Sequence, residues 1–230
     1  TSVAILFKTT QIVYKTTKNS QNRPVLIAST NGSLPRVRQH PYEAQLDALE
    51  TVLCADTLTQ VLGLAPLQSI ADLESLLECY QTTLLEPIEL PAISRSSRMV
   101  ARGHADELIA LDQNFGGLHP EWLLLMPAST RMGRDYLNRL RPLQDERVVQ
   151  RFNESVRYNR SPGHHLTVFG LTMAVFSIAR RQGLAEYAQF ALEAVVSTAA
   201  GKLKITQEER NTILDRFQTR LPQTIKRMVA

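Results

Sequence analysis

The chain has 230 residues, a net charge of +4 and 43% hydrophobic residues, enough for one large domain with a substantial core. Aromatics are only 6% while Leu and Ala are frequent, which favours helix. The longest apolar run, residues 166–179, contains Thr167, Gly170, Thr172 and Ser177. It falls short of the roughly 20 residues that cross a bilayer, so membrane function is not expected.

Residues 1–40 differ from the rest of the chain. "SVAILF" and "QIVYKTT" are rich in β-branched residues and fit two strands, and "STNGSLP" has turn composition. This part reads as an N-terminal appendage, a β-ribbon or a disordered arm. The leading segment lacks the long apolar region of a secretory signal, and a cytoplasmic protein is expected.

From residue 41 to 230 the pattern is helical, and the expectation is one all-α, bundle-like domain of about eight helices. "EAQLDALETVL" places Leu46, Leu49, Val52 and Leu53 on one face. Ser69 is a candidate N-cap for a helix through Leu84, with Pro87 and Pro91 as its stop. A helix over 94–112 should end before "NFGGLHP", a loop without the Lys-Ser/Thr of a phosphate-binding loop. Pro127 precedes a Ser129/Thr130 cap for the next helix, which Pro142 ends, and another helix spans 144–158. Pro162 and Gly163 lead into "HHLTVFGLTMAVF", a helix apolar all round that must be buried in a core or dimer interface. Thr206 and Glu209 have capping-box spacing, and Ile213, Leu214, Phe217 and Leu221 form an apolar stripe.

No constellation of an enzyme is present. His40, His104, His119, His164 and His165 make no HExxH and no Cys/His zinc spacing, and Cys54 and Cys79 form no CxxC. His164 and His165 are adjacent, so on a helix they diverge by about 100° and do not readily share an ion. They read as the polar start of a helix. Neither a P-loop nor a dinucleotide fingerprint nor a nucleophile elbow occurs, so no cofactor, metal site or catalytic residue is assigned.

Between Arg131 and Arg160, eight arginines (Arg131, Arg134, Arg139, Arg141, Arg147, Arg151, Arg157 and Arg160) stand against four acids. That surplus equals the whole charge imbalance. Such a basic stripe suits an acidic protein partner. The alternative is a helical nucleic-acid-binding regulator, disfavoured because acids interrupt the stripe and aromatics are not interleaved with it.

Four local patterns resemble the urease accessory protein family UreF. "ADELIALDQNF" leads to "ASTRMGRDYLNRL", where Ser129, Gly133 and Leu137 take the positions of a family helix with a central glycine. "PGHHLTVFGL" matches through Pro162, His164, His165, Phe169 and Gly170, and "VVSTAAGKLKITQEERNTIL" through Gln207, Ile213 and Leu214. "LIASTNGSLP" is similar through Ser33, Leu34 and Pro35. The family's His-Ser-x-Gly-Leu-Glu pattern is replaced by "RVRQHPYEAQLDALE", and Lys204 stands for a proline. The resemblance is clearest over residues 106–230. It implies a non-enzymatic, dimeric, all-α scaffold that binds a UreD/UreH-like protein and the GTPase UreG, and supports nickel insertion into apo-urease. It also implies partner or dimer-interface roles for Gly133, Pro162, His164, His165, Phe169, Gly170 and Gln207.

Overall fold

A computed structural model describes residues 40–140 and 146–229. The strands expected near the N-terminus, with Ser33, Leu34 and Pro35, lie outside them. The described residues are helical, without a strand among them, and all fall within one unit, residues 38–230.

The local capping signals operate as expected. Ser69 caps α3 (Ile70–Tyr80) in a reciprocal capping box with Asp72, and Thr206 does the same with Glu209 for α10 (Gln207–Gln218). Each box satisfies helix-end N–H groups within three residues, so the sequence alone specifies it. Earlier in the chain, α1 (Pro41–Asp47) gives way to a short 3-10 turn and then α2 (Ala55–Val61). The single face expected there is divided between two pieces, yet Leu46, Leu49, Val52 and Leu53 are all buried.

Four expected boundaries are corrected. Pro87 and Pro91 do not stop the helix. The chain passes through a π-helical stretch, Gln81–Glu89, directly into α4 (Leu90–Ala101). A wider turn relieves the clash of the Pro87 ring with the preceding turn, and Pro91 sits in the first turn of α4. The helix expected over 94–112 is broken at Gly103, which takes φ +76° while the His104 N–H closes onto Met99 O at 2.9 Å. α5 (Ala105–Leu118) then runs through the expected Gly-Gly loop. Buried Phe115, in ring contact with His119, Trp122 and His164, holds that end of α5 to the core.

Ser129 and Thr130 are not caps. α6 begins at Met126 and runs to Arg139, with Pro127 in its first turn, so Ser129 faces inward. α7 (Arg147–Arg157) follows, and residues 141–145, including Pro142 and Arg141, lie outside the described residues.

α8 (His165–Val175) is buried at every position from His165 to Met173. It packs on α4, α6, α1 and α5. α9 (Arg180–Leu203) packs along α1–α4, and α10 and α11 (Leu221–Val229) close over it. The α4–α8 contact depends on Gly170. A Cβ there would lie 2.6 Å from both Ile93 O and Ser96 Cβ, and 3.0 Å from Ser97 N. Two of those atoms are backbone and cannot swing aside. Gly170→Leu is therefore expected to destabilise the fold by about 3 kcal/mol, the upper end of ordinary overpacking. Urea unfolding checks this, and an unchanged midpoint would contradict the close approach.

Candidate functional site

The segment joining α7 to α8 is fastened from both sides. Asp112, fully buried in α5, accepts hydrogen bonds from Ser161 Oγ (2.5 Å), the Gly163 N–H (2.6 Å) and the His164 N–H (2.9 Å). It thus serves as a remote N-cap for α8, with a carboxylate at the positive end of that helix. Gln113, next to Asp112 on α5, donates from Nε2 to Arg160 O at 2.6 Å, and from the other side Arg134 Nε of α6 donates to Pro162 O at 2.9 Å. Gly133 is the point of closest approach: a Cβ there would overlap Gly163 O and lie 2.8 Å from both His164 C and His165 N. The glycine in mid-helix, unfavourable by about 1 kcal/mol against alanine, admits the α8 backbone.

His164 and His165 do not face the surface. They are 2% and 1% exposed. His165 Nδ1 lies 2.9 Å from Ser129 Oγ, and its Nε2 lies 3.0 Å from Tyr187 OH. The Tyr187 hydroxyl donates to Glu89 Oε2 at 3.0 Å, and Tyr80 OH donates to the same oxygen at 2.8 Å. A polar chain therefore crosses the core from α6 through α8 and α9 to the π-helical turn. Because Tyr187 gives its proton to Glu89, His165 Nε2 must be the donor to Tyr187. Nδ1 is then the acceptor, and Ser129 donates to it. His164 Nδ1 approaches Ser129 Oγ at 3.3 Å and Thr130 Oγ1 at 3.4 Å.

The electrostatics arise from burial. Desolvation, with His164 beside it, pushes the His165 imidazole down to about 3, so it is neutral at physiological pH. Burial also lowers His164, against the pull of the Asp112 carboxylate. Burial raises Glu89 to about 7, while Tyr80, Tyr187 and the nearby Trp122 indole favour its charged form. The Trp122 N–H stands close to that carboxylate without hydrogen-bond geometry, and both Trp122 Nε1 and Glu89 Oε1 are left without a hydrogen-bond partner. Tyr80 and Tyr187 are held well above the usual phenol range by burial and by Glu89.

The sequence did not reveal this polar chain. Nine residues separate Tyr80 from Glu89, about two and a half α-helical turns, which would put them on opposite faces. The π-helical widening turns both inward. Prolines at 87 and 91 were the one available sign that the helix there is irregular.

The other candidates divide by exposure. Gly133, Phe169 and Gly170 are buried with the histidines, Pro162 is half-buried, and Gln207 is exposed on α10. The basic stripe is not uniformly free. Arg134 also donates to Asn159 at 3.3 Å, Arg151 pairs with Asp106 at 2.7 Å, and Arg139 covers the Tyr136 ring at 4.4 Å. Contrary to expectation, an aromatic is interleaved: Tyr158, 66% exposed, stands between Arg157 and Arg160, with both guanidiniums about 6 Å from its ring. Arg131 and Arg147 are exposed.

Among the described residues, no group of three His, Cys, Asp or Glu side chains is placed to hold a metal ion. No described helix is long and apolar enough to cross a membrane. Comparison with protein families gives a match to the family described as UreF over residues 67–218. That span contains the Asp112 cap, both histidines and the Glu89 chain. No curated protein matches the chain.

Proposed function

Because the chain belongs to the UreF family of urease accessory proteins, we propose that it is a non-enzymatic assembly scaffold in urease maturation. On this reading it forms a homodimer in the cytoplasm. It binds a UreD/UreH-like accessory protein and a UreG-like GTPase, and the assembly supports nickel insertion into apo-urease. Nickel is the cargo, and the scaffold holds no cofactor of its own.

The observation that carries the reading is the family match, which covers 67–218 and includes the histidines, together with their placement. His164, His165 and Asp112 are engaged inside the fold, where they fix α8 against α5, α6 and α9 rather than meet a substrate. A rigid helical body is what a scaffold needs. Partner contacts are assigned to positions that solvent reaches: Gln207, half-buried Pro162 at the edge of the fastened segment, and the exposed arginines Arg131, Arg147, Arg157 and Arg160, which suit an acidic surface. Gly133, His164, His165, Phe169 and Gly170 would act on an interface indirectly, by holding its supporting helices. Residues 1–40 are proposed as an appendage to the helical domain of 41–230.

A second reading, a nucleic-acid-binding regulator, draws on Tyr158 between Arg157 and Arg160. The internal engagement of Arg134 and Arg151 weakens it. Co-purification separates the two. The scaffold predicts a dimer by light scattering and co-elution with UreD/UreH-like and UreG-like partners. A monomer that ignores both, with duplex binding that falls steeply with salt, would overturn it.

A further inference from the structure

The end of α4 and the turn from α8 into α9 enclose a cleft of about 430 Å³ that the scaffold reading does not use. Arg98, Arg102 and Arg180 line it together with Ser97 and Ser177, and no acidic side chain does. Among the described residues, none of these three arginines has an ion-pair partner. Elsewhere Arg151, Arg216 and Arg220 pair with Asp106, Glu74 and Glu78 at 2.7–2.9 Å. Three arginines without an ion-pair partner among the described residues thus line one concavity, where an anion would offset the repulsion between like charges.

Helix electrostatics point the same way independently. Arg98 and Arg102 lie at the C-terminal end of α4, where cations offset the negative end of the helix. Arg180 is the reverse case. It opens the 24-residue helix α9, whose first turn has no acid and whose N-cap, Ala179, has no capping side chain. A cation at the positive end of a long helix is unfavourable in the absence of an anion, and the uncapped N–H groups there are themselves anion donors.

Ser97 adds a neutral donor. It is 3% exposed and lines the cleft, and its hydroxyl has no hydrogen-bond partner among the described residues. Its position is fixed, because the backbone N–H of Ser97 lies at the α4–α8 contact made by Gly170. The turn is fixed as well: Ser177 takes φ +55°, and the Ile178 N–H closes onto Met173 O at 2.8 Å.

We propose that this cleft is a binding site for an oxyanion of the phosphate class, free or as part of a larger phosphorylated molecule. A carboxylate brings one charge and two oxygens in a plane. A phosphate brings nearly two charges and oxygens in a tetrahedral array, which suits three guanidinium forks, a hydroxyl and helix N–H groups approaching from two helices. The site stands apart from the histidine chain and does not depend on the scaffold reading.

Calorimetric titration of the full chain with inorganic phosphate, pyrophosphate and acetate at low salt tests this. Pyrophosphate is expected to bind most tightly and acetate not at all. Arg180→Gln, and Arg98→Gln with Arg102→Gln, should each weaken pyrophosphate binding by roughly tenfold or more, and Ser97→Ala by less. Arg216→Gln with Arg220→Gln should leave it unchanged. In the wild-type chain, amide resonances of residues 180–182 should shift on titration, a readout that needs no variant. Absence of binding at millimolar pyrophosphate, binding indifferent to the cleft arginines, or acetate binding as tightly as phosphate would each overturn the proposal. A phosphorylated peptide or nucleotide that competes with pyrophosphate would identify the anion as part of a larger ligand, and competition by inorganic phosphate alone would identify it as the free ion.

Discussion

Asp112→Ala is expected to destabilise the protein by about 4 kcal/mol, among the largest effects of any single substitution in the chain. The carboxylate accepts three hydrogen bonds inside the core, two of them from backbone N–H groups at the start of α8. Alanine would leave those donors buried and unpaired and would remove the negative charge from the helix end. Asp112→Asn keeps one acceptor oxygen and should cost about half as much. Urea unfolding of the two variants measures both values. A loss below about 1 kcal/mol for the alanine variant would show that α8 does not depend on this cap.

Glu89→Gln is expected to change the pH dependence of stability rather than its value at one pH. The folded pKa of Glu89 is raised to about 7 from an ordinary 4.5. The native state therefore holds a proton that the unfolded chain releases, and stability falls as pH rises through this window. The span corresponds to about 3 kcal/mol, lost progressively between pH 4.5 and 7. His165 acts in the opposite sense. Its folded pKa is depressed to about 3 from 6.5, so its contribution is present above pH 6.5 and lost as pH falls toward 3. In the wild type the two slopes oppose one another between pH 4.5 and 6.5. Removing the acid leaves the histidine slope, so the stability of Glu89→Gln relative to wild type should grow by about 3 kcal/mol from pH 4.5 to 7. Denaturant curves at pH 4.5, 6 and 8 would show this. Parallel profiles would mean that Glu89 is ionised throughout.

These two residues also mark where the sequence was and was not legible. The caps at Ser69 and Thr206 were readable because each is completed within three residues. The burial of α8 was readable because its apolar residues surround the helix. The direction faced by His164 and His165 was not. Their partners are Asp112, 52 residues before His164, and Tyr187, 22 after His165. Only folding brings those together. The glycines show the same limit. Gly103 ends α4, while Gly116 and Gly117 remain inside α5 because Phe115 and Trp122 hold that end of the helix to the core. Glycine permits both outcomes, and tertiary packing selects between them. The Glu89–Tyr80 pairing is hidden for a different reason, since the α-helical period places the two on opposite faces and only the π-helical turn reunites them.

The role of the family resemblance is likewise specific. Of its matching positions, Gly133, His164, His165 and Gly170 lie where α8 and its entry meet α6 and α4, while Phe169 packs its ring on Tyr42 of α1 and Tyr187 of α9. These positions thus mark the packing around one buried helix, within a family match that extends over residues 67–218.

Service of this buried frame in urease maturation is tested most directly in cells. The measurement is nickel-dependent urease activity where the cognate apo-urease, UreD/UreH-like protein and UreG-like GTPase are supplied, with and without this chain. Urease is expected to stay largely inactive without the chain and to be activated with it, and Asp112→Ala, which loosens α8, is expected to lower activation. Urease activated to the same extent in the absence of the chain would contradict the scaffold role.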